Sequence, residues 1–190
     1  MKEAYTVDQT FENTDFSRFL KGEYENCIFR NCNFEYADLS GFIFTDCEFT
    51  GCNLSMAKLI KTAFHNVIFK ECKMFGLQFG DCNPFGLSFT FDGCLLNNSV
   101  FYKTSAKKTR FKNSKLTETD FSESDLSGSL FSGCDLSGAI FDHTNLEKAD
   151  FRTSFNYSID PTLNRLKKAK FSLSEVHGLL YKLDIEIDRD

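Results

Sequence analysis

The chain has 190 residues, a net charge of −5 and a mean hydropathy of −0.29, and it lacks the apolar run of about 18 residues that a membrane-crossing helix needs. Eight cysteines are present but none in C-x-x-C spacing, and no histidine is placed to complete a set of ligands, which excludes a zinc or dithiol site read from spacing. The charge alone selects no partner.

The first twenty residues hold Phe11, Phe16 and Phe19, where a five-residue apolar period is set and then slips. From Phe29 the period runs on through Phe34, Leu39, Phe44, Phe49, Leu54, Leu59, Phe64, Phe69, Met74 and Phe79. A period of five fits neither an α-helix nor a free strand, so it marks a repeat architecture. Let i be the large residue: i−2 and i point inward, i−1 points outward, and i+1 and i+2 turn the corner. Each pentad is then one short strand-like side plus a turn. Stacked sides satisfy one another's backbone hydrogen bonds, which gives an all-β solenoid, a parallel β-helix with a single core. Most of the 23 phenylalanines lie on the i track, at ~1.5–3 kcal/mol for each fully buried side chain.

All eight cysteines, at 27, 32, 47, 52, 72, 82, 94 and 134, occupy i−2, where other pentads carry Ala, Ser or Thr. Buried thiols acting as small hydrophobes fill that slot, and free thiols without a signal peptide point to a cytoplasmic location. Between the slips stands Pro84 at an i position, and Phe89 to Phe91 advances the register by two. Residues 82–96 are therefore expected to form the least regular part, a kink or small protruding loop.

From Phe91 the period continues unbroken to Phe151. This stretch carries a basic belt, Lys103, Lys107, Lys108, Arg110, Lys112 and Lys115, which reads either as a solvated face or as a nucleic-acid contact; no aromatic interleaving accompanies it. An acidic zone follows, with Glu118, Asp120, Glu123, Asp125, Asp135, Asp142, Glu147 and Asp150. It reads either as a surface for a partner that grips phosphates or as ordinary outward positions of pentads.

Beyond residue 155 the rule lapses. Asp160 before Pro161 is a helix-start signal, Ser174 can cap a second helix with Val176, Leu179, Leu180 and Leu183 in one stripe, and Ile185 and Ile187 alternate like a strand. The division expected is an N-terminal cap with first pentads at 1–20, a β-helix at 21–155 and a helical cap at 156–190. The cap's apolar residues, Val176, Leu179, Leu180, Leu183, Ile185 and Ile187, are the candidate interface for pairing two copies.

The runs Ala-Asp-Leu-Ser-Gly at 37–41, Ser-Asp-Leu-Ser-Gly at 124–128, Cys-Asp-Leu-Ser-Gly at 134–138 and Ala-Asp-Phe-Arg-Thr at 149–153 resemble the A(D/N)LXX signature of pentapeptide-repeat proteins over about residues 11 to 155. The resemblance implies a right-handed quadrilateral β-helix with four pentads per coil. The tail, with Ile159-Asp160-Pro161, Asn164-Arg165, Gly178-Leu179-Leu180 and Ile185-Glu186-Ile187, is similar to the endings of the topoisomerase-protecting branch: Qnr-type proteins, the mycobacterial fluoroquinolone-resistance protein and the microcin B17 immunity protein. That branch implies a homodimer joined end to end through the tail, which imitates B-form DNA and occupies DNA gyrase or topoisomerase IV, protecting them from quinolones or peptide toxins. No loop of eight to twelve residues interrupts the coils as in the Gram-negative Qnr group.

The three histidines are scattered, and no phosphate loop, H-E-x-x-H or paired-carboxylate motif appears. No enzyme activity, catalytic residue, cofactor or metal is expected, and neither a membrane nor direct nucleic-acid contact. The alternative to topoisomerase binding is a non-catalytic scaffold using outward Tyr36, Phe75, Phe85 and Tyr102.

Overall fold

The computed structural model describes residues 4–183 together with Ile185, Glu186 and Asp188. The five-residue period folds into an all-β parallel solenoid. Seven strands stack on one side, from Thr10–Glu12 through Ile28–Arg30, Glu48–Thr50, Val67–Lys70, Phe89–Asp92 and Arg110–Lys112 to Leu130–Ser132, so six turns separate first from last. Four more stack on a second side: Ala4–Val7, Gly22–Glu25, Ile43–Thr45 and Ala63–His65. Elsewhere single parallel bridges continue the ladder, as in Ser105↔Asp125↔Asn145↔Arg165 and Val100↔Asp120↔Ile140. Partners twenty residues apart mean that four pentads complete one coil.

Inside, the i residues stack on their equivalents one coil away. Phe91, Phe111, Phe131 and Phe151 are parallel within 10° at centroid distances of 5.2, 4.9 and 4.5 Å, and Phe79, Phe101, Phe121 and Phe141 form a second column. The two columns meet edge to face, as at Phe111 and Phe121, the offset aromatic geometry that adds to area burial.

The i−2 residues do more than fit. Thr62, Thr119 and Thr144 donate to the carbonyls of Leu39, Leu96 and Phe121 at 2.7, 3.1 and 2.9 Å. Cys52, Cys72 and Cys94 donate likewise to Phe29, Phe49 and Phe69. A small donor at i−2 thus satisfies a buried carbonyl one coil earlier, which explains why Cys, Ser and Thr alternate with Ala there. All eight thiols are buried and free; burial pushes Cys47 up to about 12 and Cys134 up to about 11.

At the corners, the residue at i+2 adopts left-handed backbone conformation. Asn31, Asn66 and Asn113 suit this, but Lys108, Glu118, Glu123, Lys148 and Lys168 take it too, at a cost of about 1–2 kcal/mol each that the surrounding ladder offsets. The outward i−1 Asp or Asn closes the same turn by accepting from the N–H of i+1, as in Asp38 to Ser40, Asp120 to Ser122 and Asp135 to Ser137.

Two coils depart from twenty residues. The first is shorter, with Tyr5 opposite Glu23 and Phe11 opposite Phe29. Another is longer, with Phe69 opposite Phe91; Pro84 is expelled to the surface while Leu87 and Phe89 pack on the core in its place. Regular stacking resumes at Phe89.

The expected α-helical cap does not form. Asp160 caps one turn only, accepting from the N–H of Thr162 at 2.8 Å, and the chain then rejoins the ladder at Arg165 and Lys170, with Phe171 stacked 5.3 Å from Phe151. The reason is that the pentad pattern returns: Asn164 takes an i−2 slot, donating to the Phe141 carbonyl and accepting from the Thr144 N–H, and Leu166 and Phe171 are five apart. After that the chain makes a single 3-10 turn at Val176–Leu179. Gly178, a weak helix former, lies at its centre against Tyr157, where a Cβ would meet the Tyr157 carbonyl.

Candidate interaction surface

The eight acidic candidates lie on all four sides of the solenoid and divide by their partners. Asp125 is 3.3 Å from Lys107, Glu123 is 3.4 Å from Lys103, Glu147 is 2.8 Å from Arg165, and Asp150 is 2.8 Å from Arg152. The basic belt and the last coil therefore neutralise half of the zone. Asp150 is held below the usual carboxylate range chiefly by its hydrogen bond from Arg152. Asp125 and Asp135 are also lowered: hydrogen bonds from Ser127, and from Ser137 and Asn156, outweigh the opposing effect of burial.

Glu118, Asp120, Asp135 and Asp142 remain, and among the described residues none of them has a Lys or Arg within ion-pair distance. Glu118 sits at a corner with its stem over Gly138. Asp120 and Asp142 lie on the adjoining side one coil apart, Asp142 contacting His143 at 2.8 Å. Asp135 lies on the other adjoining side, bound by Ser137 and Asn156. Glu118 thus marks one edge of the rod, Asp120 and Asp135 lie on the two sides that meet there, and Asp142 stands at the far end of one of those sides, at the next corner. Sequence order did not reveal most of the division, because three of the four pairs run between coils and only Asp150 with Arg152 is local.

The tail candidates also separate. Leu179 packs on the chain's own core, and Val176 and Leu180 are half-buried, whereas Leu183 and Ile185 are 59% and 54% exposed. Ile187 lies outside the described residues. Leu173, not singled out by its spacing, is 90% exposed beside them. The Tyr157 hydroxyl, buried at this end, has no hydrogen-bond partner among the described residues, and burial pushes it up to about 12.

Of the outward aromatics, Phe85 is 81% exposed on the widened coil, its carbonyl 3.1 Å from His65. Tyr36 is exposed, Phe75 is half-buried, and Tyr102 bonds Glu123 through its hydroxyl. Among the described residues no His, Cys, Asp or Glu cluster has metal-binding geometry, and no helix is long and apolar enough to cross a membrane.

The family model for pentapeptide repeats matches eight copies, over residues 27–66, 47–83 and 114–152. The chain belongs to the pentapeptide-repeat family. A curated relative, the quinolone resistance pentapeptide repeat protein QnrB96 of Scandinavium goeteborgense, is 32% identical over 106 residues, 53% of this chain and 46% of the relative. The chain thus spans about half the length of that relative. Among solved structures, a trypsin-treated form of QnrB1, a plasmid-mediated fluoroquinolone resistance protein, superposes with a TM-score of 0.58 at 22% identity, covering 95% of this chain and 99% of that one. A second trypsin-treated form gives 0.56 at 22% identity, covering 96% and 97%. These superpositions show the shared fold.

Proposed function

We propose that this pentapeptide-repeat protein binds a type II topoisomerase, DNA gyrase or topoisomerase IV, in the cytoplasm and protects it from quinolones or peptide toxins without catalysing a reaction. The observation that carries the reading is the group of four carboxylates around the Glu118 edge, Glu118, Asp120, Asp135 and Asp142, none of which has a Lys or Arg within ion-pair distance among the described residues. Carboxylates on a rigid rod, with coils about 4.8 Å apart, offer a row of negative charge to an enzyme surface built to hold phosphates. A right-handed, four-sided cross-section would give that row the straight edge that DNA mimicry needs. The similarity to QnrB96 supports the same reading.

In this reading residues 21–155 form the main rod, 1–20 its first coil, and 156–190 continue it by one coil to Phe171 and end where two copies pair through Leu183 and Ile185. The apolar exposure at that end supports pairing. The basic last coil, with Arg165, Lys167, Lys168 and Lys170, would then separate the two acidic edges. A non-catalytic scaffold is the second reading, favoured by the exposure of Phe85 and Tyr36.

The test is a gyrase supercoiling and quinolone-cleavage assay with host enzyme. Purified protein is expected to change supercoiling, or lower drug-stabilised cleavage, at micromolar concentration or below. No effect on either enzyme at saturating protein would move the assignment to the scaffold.

A further inference from the structure

Half a coil away from the acidic edge runs its electrostatic opposite. Lys108, Gly128, Lys148 and Lys168 occupy the same left-handed corner in four successive coils, joined by the bonds Lys108 N–H to Ser127, Gly128 N–H to Glu147 and Lys148 N–H to Lys167. Gly128 takes the left-handed corner at φ +70°, and the Cγ of Lys108 lies against it at ordinary contact distance. Arg110 and Lys167 flank the column, all five cations are exposed, and among the described residues none has a carboxylate within ion-pair distance. The nearby acids are already engaged, Asp125 by Lys107, Glu147 by Arg165 and Asp150 by Arg152 and Lys170.

We propose that this ridge binds the phosphate backbone of double-stranded DNA directly, so that the rod presents one edge to protein and the opposite edge to nucleic acid. Lys148 and Lys168 stand on neighbouring coils about 4.8 Å apart, with Lys108 two coils, or about 9.6 Å, from Lys148; these like charges repel one another and lower the stability of the free rod. A partner with about one negative charge per 1.7 Å of axis relieves that repulsion and releases counterions. The ridge is straight and rigid because the backbone ladder fixes it. Its neighbours at the corner, Ser127, Gly128 and Asn145, are not apolar, and the one exposed apolar side chain beside Arg110, Leu130, is far short of the apolar face that a lipid surface needs, which favours a duplex over an anionic membrane. The contact is to phosphates, so it carries no base sequence preference.

Fluorescence anisotropy of a labelled duplex, with the full chain alone and salt raised from about 50 to 200 mM, tests the ridge. Wild type is expected to bind with a steep negative dependence of log K on log salt. Replacing Lys108, Lys148 and Lys168 together by Asn, a residue at ease in left-handed conformation, is expected to lower that slope by roughly 3 and weaken binding at least about tenfold at low salt. Circular dichroism identical to wild type confirms that the variant folds. As a control of equal charge, replacing Lys58, Lys61 and Lys73 by Asn is expected to change the slope far less. The proposal is overturned if wild type does not bind the duplex at low salt, if the control weakens binding as much as the ridge variant, or if anionic vesicles are bound and the duplex is not. Gyrase is absent throughout, so the ridge and the topoisomerase assignment stand or fall separately.

Discussion

The coils from Phe91 to Phe151 and the widened coil between Phe69 and Phe91 follow the same rule with different fidelity. In the regular stretch each i residue covers its equivalent, each i−2 residue after Phe89 is small, and the Phe111, Phe131 and Phe151 rings stack within 10°. In the widened coil a proline falls on the i track. It has no N–H for the ladder and no ring to continue the column, so two additional residues are accommodated and Phe85 is left facing outward, 81% exposed. Stability therefore resides in the inward columns, and the outward surface is free to vary without endangering the fold. An aromatic residue's contribution depends on its place within the pentad more than on its chemistry.

The largest test of that contrast is Phe131→Ala. It removes a ring that is fully buried between Phe111 and Phe151, and denaturant unfolding is expected to show a loss of roughly 3–5 kcal/mol. A loss under about 1 kcal/mol would mean that the column relaxes freely and is not a packed core. A smaller effect comes from the thiols. Cys134 is raised in the fold, to about 11, above its unfolded value of about 8.5. The stabilisation from keeping this thiol neutral is fully present below that unfolded value and is lost as pH climbs toward the folded one, by about 1.4 kcal/mol per pH unit. Cys134→Ser, matching Ser114 and Ser154 in the same column, is expected to flatten this alkaline limb when urea midpoints are compared between pH 8 and about 10.5. An unchanged slope would show that the thiol already reaches water. Smallest of all is Phe85→Ala, expected to stay within about 0.5 kcal/mol. A loss as large as that at Phe131 would erase the distinction between the two regions.

The spacing of Phe29 to Phe79 and of Phe91 to Phe151 made the solenoid, its inward columns and the buried thiols legible, because a period of five has no other simple geometric solution. The tail was misread where Asn164 stood in a slot that usually holds Cys, Ser, Thr or Ala. Its amide makes the same bond to a carbonyl, so the solenoid continued where Asp160 and Pro161 signalled a helix. The surface was harder to read. Asp125 and Glu147 look like free negative charge in sequence, yet their cations come from 18 residues away in opposite directions, Lys107 from the coil before and Arg165 from the coil after. The turn-closing role of Asp120, Asp125, Asp135 and Asp150 likewise became visible only once the corner backbone was in place.

Glu118, Asp120, Asp135 and Asp142 are the side chains we propose to meet a topoisomerase. That contact is tested most directly by titrating host gyrase with wild type and with a Glu118→Gln, Asp142→Asn variant, which removes two of these charges and leaves the bonds of Asp120 and Asp135 to their corners in place. The account predicts that affinity falls at least about tenfold, as for loss of about 1.4 kcal/mol or more, with no change in thermal stability. Wild type binding gyrase as tightly as the variant would contradict it.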